Sequence, residues 1–364
     1  MSSAAEQAGG NKTGALTAAV AGVLVAGGLC AVFFGVWQKL RARPSAYTYD
    51  LTALRRTDPD LIVCREVGGG FPTGFRHSRA VTVAPDGSIH VAGDRAVRRF
   101  DATGKRLGEM PVGGRPRALA VDDDGKLFLA MANHVEVYTP DGKRAANWPR
   151  RPPKAVLTDV ALADENVYVA DAGNRLVLRY DKAGRLVNTI GQKDPDRDVP
   201  GFVVPSPYFE LAVAPDGLLR VTDPGRHRIT TLAPSGERGE SWGRTSSAAD
   251  AFSGCCNPIS FALLPGAAGA DGYGRFGGFV TCEKGLTRVK LFDAAGRFAG
   301  VVAGPESFTR HDELTAGRSA FGERTALDVA VDAAGRIFVL DPATNEVRIF
   351  ERTGQQPPTT GKTP

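Results

Sequence analysis

The sequence predicts an all-β protein, a six-bladed β-propeller preceded by one transmembrane α-helix. Three observations predict it. A signature recurs six times: an aliphatic residue, an aromatic or Leu three positions on, and a Gly four further. It appears as Val97/Phe100/Gly104, Val135/Tyr138/Gly142, Val177/Tyr180/Gly184, Ile229/Leu232/Gly236, Val289/Phe292/Gly296 and Val347/Phe350/Gly354. Apolar strand pairs joined by DG-like turns precede the signatures, as in AVTVAPDGSIHVAG from Ala80 and ALAVDDDGKLFLAM from Ala118. Such turns close β-hairpins. Each unit therefore holds four strands, and a four-stranded repeat near 40 residues is a propeller blade. The third observation is an uncharged run, Gly14 to Trp37.

In chain order, residues 1–13 form a polar tail. The 24 residues from Gly14 to Trp37 would span about 36 Å as a helix, enough for a hydrocarbon core of about 30 Å. Trp37 ends the run where an interfacial aromatic belongs, and Lys39, Arg41 and Arg43 follow. A cleaved signal peptide has a shorter apolar core. Leu29 stands before Cys30 where a lipoprotein site has a small residue. Gly22, Ala26, Gly27 and Gly28 offer a helix-packing face. Residues 38–59 are a stalk. The propeller occupies 60–353, and the polar stretch 354–364 is a disordered tail. Blade six lacks an outer strand, and the apolar segment Leu61–Val67 is expected to supply it, closing the ring and covering exposed sheet edges.

The chain has 364 residues, 44 Gly and a net charge of +5. No dense basic stripe or nucleic-acid module accompanies that charge, so no nucleic-acid partner is expected. The partners expected are a membrane, through Gly14–Trp37, and a protein or small ligand. Charges flanking the apolar run would place the propeller in the cytoplasm.

VADAGNRLVLRYDKAGRLV, Val169 to Val187, resembles an NHL repeat, as do Phe202 and FELAVAPDG from Phe209. The resemblance covers about Phe71 to Arg352. It implies a six-bladed NHL-type propeller, and it implies export, hence an extracytoplasmic propeller on a single-pass anchor. NHL propellers bind proteins or RNA, or carry enzymatic sites, so the resemblance does not choose a function. GCCNP from Gly254 and EKGLTRVKLFD from Glu283 are similar to membrane-anchored NHL-repeat proteins of planctomycete-type bacteria.

Antiparallel blades place first and third turns on one face, middle loops and blade connectors on the other. The long segments Gln192–Tyr208, Gly243–Pro258 and Gly304–Thr325 all fall on the second face. Long loops on a rigid scaffold are where binding usually sits. The polar middle loops there supply candidates: Asp171, Asn174 and Arg175, then Asp223 and Arg226. Asp and Asn in such loops also bond their own backbone, a purely structural role.

The sharpest local feature is Cys255-Cys256-Asn257 at the end of the connector into blade five. Cys282, Glu283, Lys284 and Arg288 close the hairpin that follows. Both ends of that hairpin point to one face, so three thiols are expected near one rim of the channel. Lys284 and Arg288 would lower a thiol pKa. A bond between Cys255 and Cys256 would be strained, since adjacent Cα atoms lie about 3.8 Å apart against a usual disulfide range of roughly 4.4–6.8 Å. A staple from Cys282 to one of the pair, unreactive buried thiols, and redox or soft-metal chemistry all remain open.

No CxxC pair, CxxCH, GxSxG element or P-loop appears in suitable context. His77, His90, His134, His227 and His311 read as structural. Asp194, Asp196 and Asp198 imitate the start of a calcium loop, but Val199 and Pro205 stand where Gly and an acid are required. No metal or cofactor is predicted. The leading expectation is a membrane-tethered binding module. The alternatives are a redox or enzymatic propeller using Cys255, Cys256 and Cys282, and a metal-dependent lactonase- or lyase-like propeller.

Overall fold

The computed structural model describes residues 27, 28, 30–35, 37, 55–197, 199–266, 276–315 and 326–355. The chain divides into two compact units, residues 1–53 and 54–364. In the first, residues 27, 28, 30–35 and 37 are helical and exposed. No helix of the described residues is long and apolar enough to cross a membrane. The rest of the expected anchor, most of the stalk, Asp198 and the tail beyond Gln355 lie outside the described residues.

The second unit contains six four-stranded antiparallel sheets. Blade one is β2(Ser78–Val83), β3(Ile89–Gly93), β4(Ala96–Phe100) and β5(Arg106–Pro111). Blade two is β6(Ala118–Val121), β7(Leu127–Ala130), β8(Val135–Tyr138) and β9(Arg144–Asn147). Blade three is β10(Leu157–Ala163), β11(Asn166–Asp171), β12(Leu176–Asp181) and β13(Leu186–Ile190). Blade four is β14(Leu211–Val213), β15(Leu219–Asp223), β16(Arg228–Leu232) and β17(Arg238–Trp242). Blade five is β18(Ser260–Pro265), β19(Phe276–Glu283), β20(Arg288–Asp293) and β21(Phe298–Ala303).

Blade six joins β22(Asp328–Val331), β23(Ile337–Asp341) and β24(Glu346–Arg352) to β1(Cys64–Pro72), which pairs with β24 from the other end of the chain. The closing strand runs further than Leu61–Val67. It continues to Pro72 through a bulge: Val67 opposes Ile349, but Phe71 opposes Val347. Gly68, Gly69 and Gly70 absorb the extra length at positive φ.

The recurring signature sits on the third strand of every blade. Its aliphatic and aromatic members are buried, and its glycine adopts positive φ, in blades one to five within the tight turn to the fourth strand. Middle strands are buried on both faces because each blade lies between two others. Val91, Leu129, Val169, Val221 and Val339 are fully enclosed. The six first strands surround a central cavity of ≈ 380 Å³. Carboxylates of these strands stitch neighbouring blades together. Asp328 accepts from Val81 N at 2.8 Å and from Ser260 Oγ at 2.8 Å, and Asp159 accepts from Leu211 N at 2.8 Å.

β18 and β19 pair antiparallel, and residues 267–275 between them lie outside the described residues.

Candidate functional site

The middle loops of blades three, four and five share a clamp. The acid ending the second strand accepts a backbone N–H from the connector that enters its own blade. Asp171 takes Val156 N at 3.0 Å, Asp223 takes Val203 N at 2.8 Å, and Glu283 takes Ser253 N at 2.7 Å. Asp341 instead takes the ring of His311 at 2.7 Å.

This clamp accounts for five of the sequence candidates. Asp171 is fully buried; besides Val156 N it accepts from Asn174 N at 3.1 Å and Asn174 Nδ2 at 2.7 Å. Arg175 takes the left-handed position of the turn, φ 60°. Asp223 is fully buried and pairs with Arg226 at 2.8 Å, whose Nη1 also donates to Gly201 O. These groups hold the connectors down.

In blade five the same clamp supports something more. Glu283 is fully buried. Arg288 Nε donates to it at 2.8 Å and Lys290 Nζ lies 2.9 Å away. Lys290 is itself fully buried and donates to Ala251 O. Burial pushes the Lys290 ammonium down to about 8, against the pull of Glu283. Connector residues Ala251 and Ser253 are thus held at two points. Asn257 fixes the far side of the loop: Oδ1 accepts from Lys284 N at 2.9 Å, and Nδ2 donates to Lys284 O and Ser253 O. His227 Nε2 lies 2.8 Å from Gly254 O, and Thr245 Oγ1 lies 2.9 Å from its Nδ1.

The framed residues are Cys255 and Cys256, with sulfurs 3.3 Å apart. Cys255 is exposed; Cys256 is buried. A chain of contacts runs inward from them. Ser206 Oγ donates to Cys256 Sγ at 3.2 Å, and Lys284 Nζ donates to Ser206 Oγ at 3.1 Å. The Lys284 ammonium also sits 4.5 Å from the centre of the Tyr208 ring, a cation–π distance.

Burial opposes charge on Cys256, yet the Ser206 hydroxyl, Lys284 and the Cys255 thiol outweigh it and hold its pKa below the ordinary value. The hydrogen bond to Cys256, then burial, pushes Cys255 the other way. Of the two sulfurs, the inner one is therefore the one that gives up its proton more readily.

Cys282 does not join them. It is fully buried in the blade-five core with Ile259, Val289 and Leu291, and burial raises its pKa well above the ordinary thiol value. A strand that ends near a rim still turns its side chains into the packing between blades. All five cysteines, Cys30 and Cys64 among them, are free. Arg288 is committed to Glu283 and to Ser247 O, leaving Lys284 as the cation beside the thiols.

Ser206 and Tyr208 were missed in the sequence. They lie in the connector that enters blade four, and only the ring brings them to the blade-five connector; His227, read as structural, holds that connector at Gly254. Among the described residues no group of three His, Cys, Asp or Glu gathers to hold a metal ion.

No family model matches the chain, and no curated protein matches it. Solved structures do share the fold. A streptogramin B lyase is 10% identical, with a TM-score of 0.50 over 81% of this chain and 100% of that one. An auxiliary nutrient binding protein from Bacteroides ovatus is 14% identical, with a TM-score of 0.52 over 76% and 69%. A protein of unknown function from Bacteroides thetaiotaomicron is 14% identical, with a TM-score of 0.50 over 79% and 75%. At such identities the likeness is one of fold, the six-bladed propeller.

Proposed function

We propose that this chain is a membrane-tethered binding module. An NHL-type propeller, anchored by Gly14–Trp37 and held outside the cytoplasm, recognises a protein or small ligand with its loop face. One observation carries the reading. On that face the polar groups of blades three and four are engaged in fixing connectors, whereas blade five presents an exposed sulfur backed by the Lys284–Ser206–Cys256 chain. A reactive group held on a rigid frame at the junction of two blades is suited to contact a ligand. Propellers of the same fold include one described as an auxiliary nutrient binding protein, which accords with a binding role.

The test compares what copurifies with the intact, detergent-solubilised chain and with Lys284→Met and Cys255→Ser variants. The expected result is a species retained by the parent chain and lost from both. A set of bound species identical in all three would remove the blade-five rim from the reading. Carbonate extraction checks the tether: a chain released like a peripheral protein would refute the anchor.

A further inference from the structure

We propose that Cys255 and Cys256 form a thiol–disulfide exchange centre that reacts with small disulfides, with Cys255 as attacking sulfur and Cys256 as its base and then its resolving partner. This deepens the binding reading, since it assigns a chemistry and a substrate class to the same rim.

The division of labour follows from access and charge. Cys255 is the sulfur a reagent can reach, and Cys256 is 1% exposed. Thiolate is the nucleophile in exchange, and an anion on the inner sulfur is favoured by the Ser206 hydroxyl and, behind it, the Lys284 ammonium. The 3.3 Å separation lets Cys255 pass its proton to Cys256 as it attacks. The Cys255 thiolate then bonds to one sulfur of RSSR. The reagent's S–S bond breaks, and RS⁻ leaves with the electron pair.

Cys256 now gives up that proton to the released RS⁻, and its thiolate regains the Ser206 hydrogen bond. It attacks Cys255 Sγ, breaks the mixed disulfide and expels a second RS⁻, which takes a proton from water. Two protein sulfurs are oxidised to one disulfide, and one RSSR is reduced to two RSH.

The product returns readily to the dithiol. Neighbouring Cα atoms lie about 3.8 Å apart, short of the usual disulfide span, so the ring is strained and easily reduced. Such a pair responds to the surrounding thiol–disulfide balance and does not lock the fold. Residues that position the loop, Glu283, Asn257 and His227, keep the sulfurs together without touching the reagent. Cys64 and Cys282 are buried in the core, and burial raises both pKa values, Cys64 to about 11. They should stand aside.

The experiment treats the purified, detergent-solubilised full chain with oxidised glutathione. It is acid-quenched, alkylated after unfolding and mapped by peptide mass. The expected product is the peptide holding Cys255 and Cys256 lighter by about 2 Da, with Cys30, Cys64 and Cys282 alkylated, and full return on adding dithiothreitol. Cys256→Ser should stop at a stable glutathione adduct on Cys255. Lys284→Met should slow the reaction about tenfold at neutral pH. An unreacted pair in the parent chain would overturn the proposal. So would a persistent adduct there, or an unchanged rate of adduct formation on Cys256 in Cys255→Ser. The parent-chain result stands even if a variant misfolds. No binding partner is present, so failure here is separable from failure of the binding reading.

Discussion

The middle loops of blades three and five begin alike and end differently. Asp171 and Glu283 both close a second strand, both are fully buried, and both accept a backbone N–H from their own connector. In blade three the loop is closed on itself: the remaining oxygen takes Asn174, and the turn reaches its left-handed residue at Arg175, four positions after the acid. In blade five the second oxygen takes Arg288 and Lys290, and the left-handed residue is Gly285, two positions after the acid. The earlier turn leaves Lys284 free to lie over Tyr208 and reach Ser206. The acid is scaffold in both loops. What distinguishes a candidate site is a cation released from the clamp and a connector long enough to bring sulfur to it.

Breaking the clamp in blade five should have the largest effect. Glu283→Ala would leave the fully buried Lys290 ammonium without its carboxylate, a change that typically costs about 3–5 kcal/mol. Chemical denaturation should show that loss, and alkylation of the folded chain should lose its preference for the exposed Cys255. Asp171→Ala should cost about 2–3 kcal/mol, because three donors lose one buried acceptor group. Thiol reactivity should stay unchanged. If Asp171→Ala left stability intact and abolished ligand capture, the blade-three loop would be a site and the comparison would fail.

How far the sequence spoke follows the same division between local and assembled. The six signatures were legible because each encodes local physics: two side chains into the blade core and one glycine at positive φ. Apolar Leu61–Val67 pointed to closure of blade six, although Gly68–Gly70 let that strand run on to Pro72. Cys255, Cys256 and Lys284 were legible as a cluster, since one hairpin brings them together. Ser206 and Tyr208 were not: they precede Cys256 by 50 and 48 residues and carry no motif. Cys282 was misplaced because strand direction tells where a residue lies along the axis, not which way its side chain points.

Removing only the released cation should act on chemistry with little effect on folding. Lys284→Met deletes the ammonium that, with Ser206, favours the Cys256 thiolate. The midpoint of the alkylation-rate profile at the exposed Cys255, which follows the ionisation of its base Cys256, should move to higher pH. The linkage has a definite sign. A thiol whose folded pKa is depressed adds stability that is complete above its unfolded pKa and disappears as pH falls through the folded one. The parent chain should therefore lose a small increment of stability relative to Lys284→Met as pH is lowered from 9 toward the folded Cys256 value. A profile with the same midpoint in both chains would show that Lys284 does not govern the thiol.

The smallest effects belong to the two left-handed residues. Arg175 is exposed at φ 60°, a conformation that costs an L side chain roughly 1–2 kcal/mol, so Arg175→Gly should raise stability by up to about 1 kcal/mol after the chain-entropy cost of glycine. Gly285 has φ 88°, and a Cβ there would meet nothing within 4 Å. Gly285→Ala should therefore cost only the conformational term, about 1 kcal/mol. Its consequence lies elsewhere: a turn that relaxes away from the left-handed position would swing Lys284 off Ser206 and raise the midpoint of the Cys255 reactivity profile. Equal thiol profiles for Gly285→Ala and the parent chain would mean that the early turn is incidental. The two loops would then differ in their connectors alone.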